Sequence, residues 1–156
     1  MNPTIEGALR QGRLIRAVTV VAMVLAVVVV PGRADAGPAG DASYAAALVN
    51  ETRAAHGMGP LTWDWELQVL AERQAGAMAA EGWLYHSDLG SQLSWGWWGW
   101  AENVGRGPSV GWVHDALLNS RHHAANMLSW SYNYVGVGVA YGRDGSVYVA
   151  QVFGAW

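Results

Sequence analysis

The 156-residue chain has no cysteine, no lysine and a single phenylalanine. Without cysteine there are no disulfide staples, so the folded part must be held by its core and its hydrogen bonds. Without lysine all nine basic residues are arginine. Only five of these follow residue 36, against ten Asp and Glu, a formal charge of −5 for that part. No basic stripe is present, which argues against a nucleic-acid partner. Nor is there an apolar run of the roughly 20 residues that a spanning helix needs.

The longest apolar run is Ala17 to Val30, which follows Arg10, Arg13 and Arg16 and ends at Pro31-Gly32. Ala34-Asp35-Ala36 has the small-x-small form of a signal-peptidase site. Residues 1–36 therefore read as a cleaved signal peptide, with an uncleaved membrane anchor as the alternative. Residues 37–40 read as a flexible leader and residues 41–156 as one domain. A chain of that size can bury roughly two-thirds of its unfolded surface. Abundant Ala, Gly, Val and Arg without Lys suggests a GC-rich bacterial coding sequence.

Turn and cap residues mark the elements. Asp41 or Ser43 can cap a first helix to about His56, with Gly57 as its stop. Asn50-Glu51-Thr52 matches a glycosylation sequon but falls inside that helix, where it reads as chance. Residues 58–62 read as a turn. A second helix starts at Thr62 or Asp64, buries Leu67, Leu70, Ala71, Ala75 and Met78, and closes at Gly82. Residues 87–108 read as a long loop with a short strand near Glu102. Ser109 caps a third helix to about Leu118, and a fourth spans about 121–128. Val135, Val137, Val139 and Tyr141 alternate with Gly136, Gly138 and Ala140, then a turn at 143–145 returns a strand over 147–153. The nearly side-chain-free face of that hairpin allows a helix to approach its backbone. Helices first and a hairpin last predict an α+β layered domain.

The chemistry-bearing residues cluster around Trp100-Ala101-Glu102-Asn103-Val104-Gly105. A carboxylate among tryptophans must be hydrogen-bonded, paired with a cation or set on a metal. His86 and His123 are the partners the sequence offers Glu102. Two imidazoles and a carboxylate can hold Zn²⁺ with a fourth position open, although no His-Glu-x-x-His spacing is present. The plainer alternative is a hydrogen-bonded polar cluster joining loop, helix and sheet. Ser87 and Ser120 are conceivable nucleophiles beside the two histidines. Gly107-Pro108-Ser109-Val110-Gly111 matches a nucleophile elbow, but Ser109 after a proline and before a helical run reads better as an N-cap. His114 reads as a partly exposed helix histidine, and His56 as completing a helix C-terminal dipole. The ten tryptophans, four of them in Trp95-Gly96-Trp97-Trp98-Gly99-Trp100, read first as core filling. The second reading is an exposed platform for lipid, glycan or membrane headgroups. If that run is extended, Trp95 and Trp97 face opposite to Trp98 and Trp100.

Several separated segments together resemble the CAP superfamily, that is, the cysteine-rich secretory proteins, antigen 5 and pathogenesis-related 1 proteins that share the SCP domain. They are Leu48-Val49-Asn50 with Arg53, Gly59-Pro60-Leu61 with Trp63-Asp64, Leu67 and Ala71, His86-Ser87, Glu102-Asn103-Val104-Gly105, Asn119-Ser120 with His123 and Asn126, Gly136-Val137-Gly138, and Val152-Phe153-Gly154. The chain is most similar to the cysteine-free secreted bacterial branch. The resemblance implies an α-β-α sandwich with a cleft lined by His86, Glu102 and His123. Ser120 falls near the place of a second cleft acid found in many eukaryotic members. Relatives often read Ser-Pro-Gly-His-Arg-Ala-Asn where this chain has Ser-Arg-His-His-Ala-Ala-Asn, so His122 competes with His123 for the inward position.

Three functions follow as expectations. The first is a secreted, non-catalytic module binding a divalent metal such as Zn²⁺, a lipid or a cell-wall component in that cleft. The second is a metal-dependent hydrolase or peptidase with Glu102 as general base. The third is a structural or interaction module in which the polar trio only fixes the loop.

Overall fold

A computed structural model of the chain describes residues 37–156. The expected signal peptide lies outside the described residues. The first helix, α1, spans Gly37–Ala55. Residues 37–40 are therefore helical rather than a flexible leader. Pro38 is tolerated in a first turn, where its missing N–H would have had no helical partner. Ser43 Oγ donates to Ala39 O at 3.1 Å, one turn back, instead of capping. Asp41 accepts from the Tyr141 hydroxyl.

Thr62–Trp63 forms a two-residue strand, β1, where a turn was expected. The second helix, α2, spans Trp65–Glu81. Asp64 is its N-cap and accepts from Leu67 N at 3.0 Å, and Gly82 closes it in the left-handed region at φ 83°. A single turn, α3, covers Leu89–Gln92. The strand β2, Gly99–Gly107, occupies nine residues of the expected loop. The helix α4, Val110–Leu118, begins where Ser109 Oγ accepts from Trp112 N at 3.2 Å, so Ser109 is an N-cap and not an elbow nucleophile. The helix α5 is Arg121–Met127. The hairpin strands are β3, Tyr134–Tyr141, and β4, Val147–Ala155.

The four strands are ordered β1-β3-β4-β2. β1 runs parallel to β3, while β2 and β3 both run antiparallel to β4. Side chains alternate across this sheet and build one core on each face. Val135, Val137, Val139, Val149 and Phe153 pack against α1, α4 and α5 through Val49, Val113, Leu117 and Met127. Tyr148, Ala150 and Val152 pack against α2 through Leu67, Ala71, Ala75 and Met78. The result is the expected α+β single-domain α-β-α sandwich. The glycine face of β3 meets α2 as predicted, and no Cβ fits there. One on Gly136 would lie 2.1 Å from the Leu67 carbonyl carbon, and one on Gly138 would lie 2.1 Å from Ala71 O.

That close approach explains why the tryptophans do not fill the core. With α2 lying on the sheet backbone, the interlayer space is filled mainly by Ala, Val, Leu and Met, with Tyr148 and Trp97 as its only large buried aromatic rings among the described residues. Nine of the ten tryptophans are exposed, and only Trp97 is buried. Trp97 fits because Gly154 lies beneath it, where a Cβ would come within 2.4 Å of the ring. The Trp95–Trp100 run is not extended as a whole, because Gly96 breaks it at φ 124° before β2 begins.

His114 is also corrected. It is 6% exposed, and its Nε2 pairs with Thr52 Oγ1 at 2.8 Å, tying α4 to α1. Its Nδ1 is buried with no hydrogen-bond partner. Burial pulls its pKa below the ordinary imidazole value, against the opposing charges of Asp115 and Glu51. In the unfolded chain this imidazole protonates near its usual value of about 6.5. The folded state therefore binds fewer protons below that pH. The associated stability is complete above about pH 6.5 and is lost as the pH falls through the folded pKa. A His114→Gln variant keeps a polar partner for Thr52. Urea unfolding of this variant is expected to show a flatter dependence of stability on pH between about 6.5 and 5 than the parent.

Candidate functional site

The nine-residue strand β2 carries the site because consecutive strand residues point to opposite faces. Glu102 and Asn103 are such a pair, and each organises one polar group beside the strand. On the Glu102 side, Oε2 accepts from His86 Nδ1 at 2.8 Å and from Ser87 N at 2.9 Å, while Oε1 accepts from Ser87 Oγ at 2.7 Å. The carboxylate is thus satisfied by three donors. Its side chain is 4% exposed, whereas that of His86 is 56% exposed. A buried carboxylate is holding an open imidazole, and the pair becomes an ion pair when His86 is protonated.

On the other side, Asn103 is fully buried. Its Nδ2 donates to His123 O at 3.0 Å and to Gln151 Oε1 at 3.1 Å, and its Oδ1 accepts from Asn126 Nδ2 at 2.9 Å. This network fixes α5 against the sheet. His123 Nδ1 pairs with Ser120 Oγ at 2.8 Å. Ser120 occupies the N-cap position of α5 but makes no side-chain cap bond there; its hydroxyl serves the imidazole instead. His123 is half-buried and the neighbouring His122 is exposed, so His123 is the one turned inward. Burial, and then the charges of His86 and His122, lower the His123 pKa, which favours a neutral ring.

The expected residues thus form two separate hydrogen-bonded groups beside the middle of β2, His86–Ser87–Glu102 and Ser120–His123. His123 makes no hydrogen bond to His86 or Glu102. Among the described residues no three His, Asp or Glu side chains are grouped to hold a metal ion. Each imidazole has Nδ1 engaged, and among the described residues neither Nε2 makes a hydrogen bond.

Sequence reasoning missed Asn103, Asn126 and Gln151 as supports of the site. Asn103 was legible as a polar residue inside a strand-like stretch; Gln151 in an otherwise apolar strand was the matching signal. Their meeting depends on the register that places Asn103 opposite Gln151. The cleft beside His86, Ser87, Asp88 and Glu102 encloses about 440 Å³. No helix among the described residues is long and apolar enough to cross a membrane.

Three solved structures share this fold. An outer surface protein from Borrelia burgdorferi superposes with a TM-score of 0.66 at 18% identity, over 74% of this chain and 92% of that one. An extracellular protein containing an SCP domain from Bacillus anthracis gives 0.67 at 24% identity, over 76% of this chain and 41% of that one. A cysteine-rich secretory protein from Staphylococcus aureus gives 0.64 at 22% identity, over 80% of this chain and 41% of that one. The chain therefore spans about two-fifths of the length of the latter two. No curated protein matches it in sequence. The family model described as "CAP: Cysteine-rich secretory protein family" matches residues 46–153, from within α1 to near the end of β4. With that match over most of its length and the same layered fold, the chain belongs to the cysteine-rich secretory protein (CAP) family.

Proposed function

We propose that this chain is a secreted, non-catalytic CAP-domain module whose cleft takes a divalent metal such as Zn²⁺ through His86 and His123. The observation that carries this reading is the matched anchoring of the two imidazoles. Glu102 holds His86 Nδ1 and Ser120 holds His123 Nδ1, which leaves Nε2 as the available donor on both rings. A carboxylate behind a ligating imidazole fixes its tautomer and raises its basicity. The lowered pKa of His123 keeps that ring neutral, as a metal ligand must be. The bound ion would supply a positive centre for a donor group of a further ligand. Secretion is supported by the signal-like pattern of residues 1–36 and by the family relationship.

The hydrolase reading is less well supported. A general base needs a free lone pair within reach of the proton it abstracts. Glu102 already accepts three hydrogen bonds from His86 and Ser87, and its side chain is only 4% exposed, which restricts the approach of a water to the remaining lone pair of Oε1. Ser87 Oγ in turn donates to Glu102 and not to an imidazole, so it is not activated as a nucleophile.

Calorimetric titration of the purified chain with Zn²⁺ tests the proposal. One-to-one saturable binding is expected. It should be abolished in His86→Ala/His123→Ala and weakened roughly 10- to 100-fold in Glu102→Gln, which loses the anionic orienting partner. Absence of binding to the folded parent, or unchanged binding by the double variant, would overturn it.

A further inference from the structure

The tryptophan turn ahead of β2 has no part in the imidazole cleft, yet it is built with care. Glu66 on α2 accepts from Trp97 Nε1 at 2.9 Å and from Ser94 Oγ at 2.7 Å, and also from Ser94 N. Burial disfavours the charged form of Glu66, but these three bonds outweigh it and hold its pKa below the ordinary value. Gly96 lies so close to the Trp156 ring that a Cβ there would come within 2.5 Å of it. Trp97 packs edge-on against Tyr134 and Trp156, with ring centroids 5.6 and 5.1 Å away. The turn is therefore held at both ends and in the middle.

What this fixed turn displays is apolar surface. Trp95 is 97% exposed and Trp98 is 67% exposed. Among the described residues neither ring, nor that of Trp100, stacks on another aromatic ring. Together with Trp97 they line a groove of about 520 Å³. Gly90 and Trp100 line both this groove and the neighbouring cleft of His86, Asp88 and Glu102. No arginine lines either part; the ionisable lining is Asp88, Glu102 and His86.

We propose that this groove binds an uncharged oligosaccharide strand, with successive pyranose rings stacked on the separated indoles of Trp95 and Trp98 and hydroxyls bonded at the Asp88 end. The C–H face of a pyranose is apolar and slightly positive, which complements the negative face of an indole. Sugar hydroxyls are donors that suit an exposed carboxylate and acceptors that suit a serine hydroxyl. Indoles that stack on no other ring leave their faces open to sugar rings. A cage for a quaternary ammonium instead needs rings converging on one point. An anionic bilayer is disfavoured because the groove has no arginine to meet it and residues 37–156 carry a formal charge of −5. This inference does not require the metal reading, and is tested in the presence of EDTA so that the two can fail separately.

The probes are soluble hexaoses of β-1,4-linked glucose and of β-1,4-linked N-acetylglucosamine, followed by tryptophan fluorescence and calorimetry. At least one is expected to bind saturably. Trp95→Ala/Trp98→Ala should weaken that binding tenfold or more while circular dichroism and melting temperature stay those of the parent. Trp130→Ala, which removes an exposed indole outside both parts of the groove, should leave it unchanged. Failure of the folded parent to bind either hexaose would overturn the proposal. So would parental affinity in the double variant, or binding instead to phosphatidylcholine or mixed phosphatidylcholine–phosphatidylglycerol vesicles that depends on the same two tryptophans.

Discussion

Gly138→Val is expected to prevent folding. A Cβ at this position would sit 2.1 Å from Ala71 O, 2.3 Å from its carbonyl carbon and 2.5 Å from Glu72 N. All three are backbone atoms of α2, so no side-chain rotation relieves the overlap. The helix would have to lift from the sheet and open the core that Leu67, Ala71, Ala75 and Met78 form with Tyr148 and Val152. Overpacking of a core commonly costs about 1–3 kcal/mol. Displacing a whole helix adds the loss of several buried side chains at roughly 1.5–3 kcal/mol each. Together these reach the total stability of about 5–15 kcal/mol typical of a domain. The variant should therefore be recovered unfolded or aggregated, as judged by circular dichroism and gel filtration. Gly76→Ala is the control. Gly76 lies on the exposed face of α2 with open space around its Cβ position. It is expected to stabilise the chain by about 0.5–1 kcal/mol through helix propensity.

Arg53→Met should be the most destabilising change away from that interface. Arg53 is a buried cation that has no carboxylate partner among the described residues and is held instead by main-chain oxygens. Its Nε donates to Gly59 O at 2.8 Å, and its Nη1 donates to Met127 O and Ser129 O, each at 2.9 Å. These bonds join the turn after α1 to the C-terminal end of α5, where the helix dipole presents its negative pole. Methionine fills much of the volume but leaves three carbonyls short of a donor. Hydrogen bonds to charged groups contribute about 1.5–3 kcal/mol each, and they are not additive. A loss of about 3–5 kcal/mol is expected, equivalent to a fall in melting temperature on the order of 10–20 °C for a domain of this size. Scanning calorimetry measures it. Arg53→Lys should recover only part of the loss, because an ammonium cannot reproduce the planar fork that reaches both loops. The same substitution bears on function, since α5 carries His123. Loosening its C-terminal end should weaken Zn²⁺ binding in the proposed site even at temperatures where the variant remains folded.

Much of the architecture was legible in the sequence because it depends on short-range chemistry. Asp64 and Ser109 are caps that satisfy N–H groups within three residues of themselves. Gly82 is the stop that a left-handed φ requires. The alternation of valine and glycine over residues 135–139 specified both a strand and the side on which a helix would lie. His86, Glu102 and His123 were likewise identifiable as candidates, from polar groups in apolar company and from the family pattern, and Glu102 does meet His86.

Other features were decided by tertiary structure, each for a reason no local window contains. The segment from Gly99 to Gly107 has little intrinsic strand preference, with three glycines, Glu and Asn. It is a strand because β4 offers nine residues of antiparallel partner. The leader became helix because Ala42 and Ala45 could be buried beneath the sheet. His114 entered the interior because α4 crosses α1 where Thr52 supplies a partner. The fate of the tryptophans is the clearest case. Their number and hydrophobicity are properties of the sequence and pointed to a core. Whether an indole fits depends on the separation between layers, which Gly136 and Gly138 set by letting α2 rest on the backbone of β3. Composition thus determined the lack of disulfide staples, and residue order the layered helix–sheet pattern. Interlayer distance and strand register, which exist only once the chain has folded, decided which residues support the cleft and which remain on the surface.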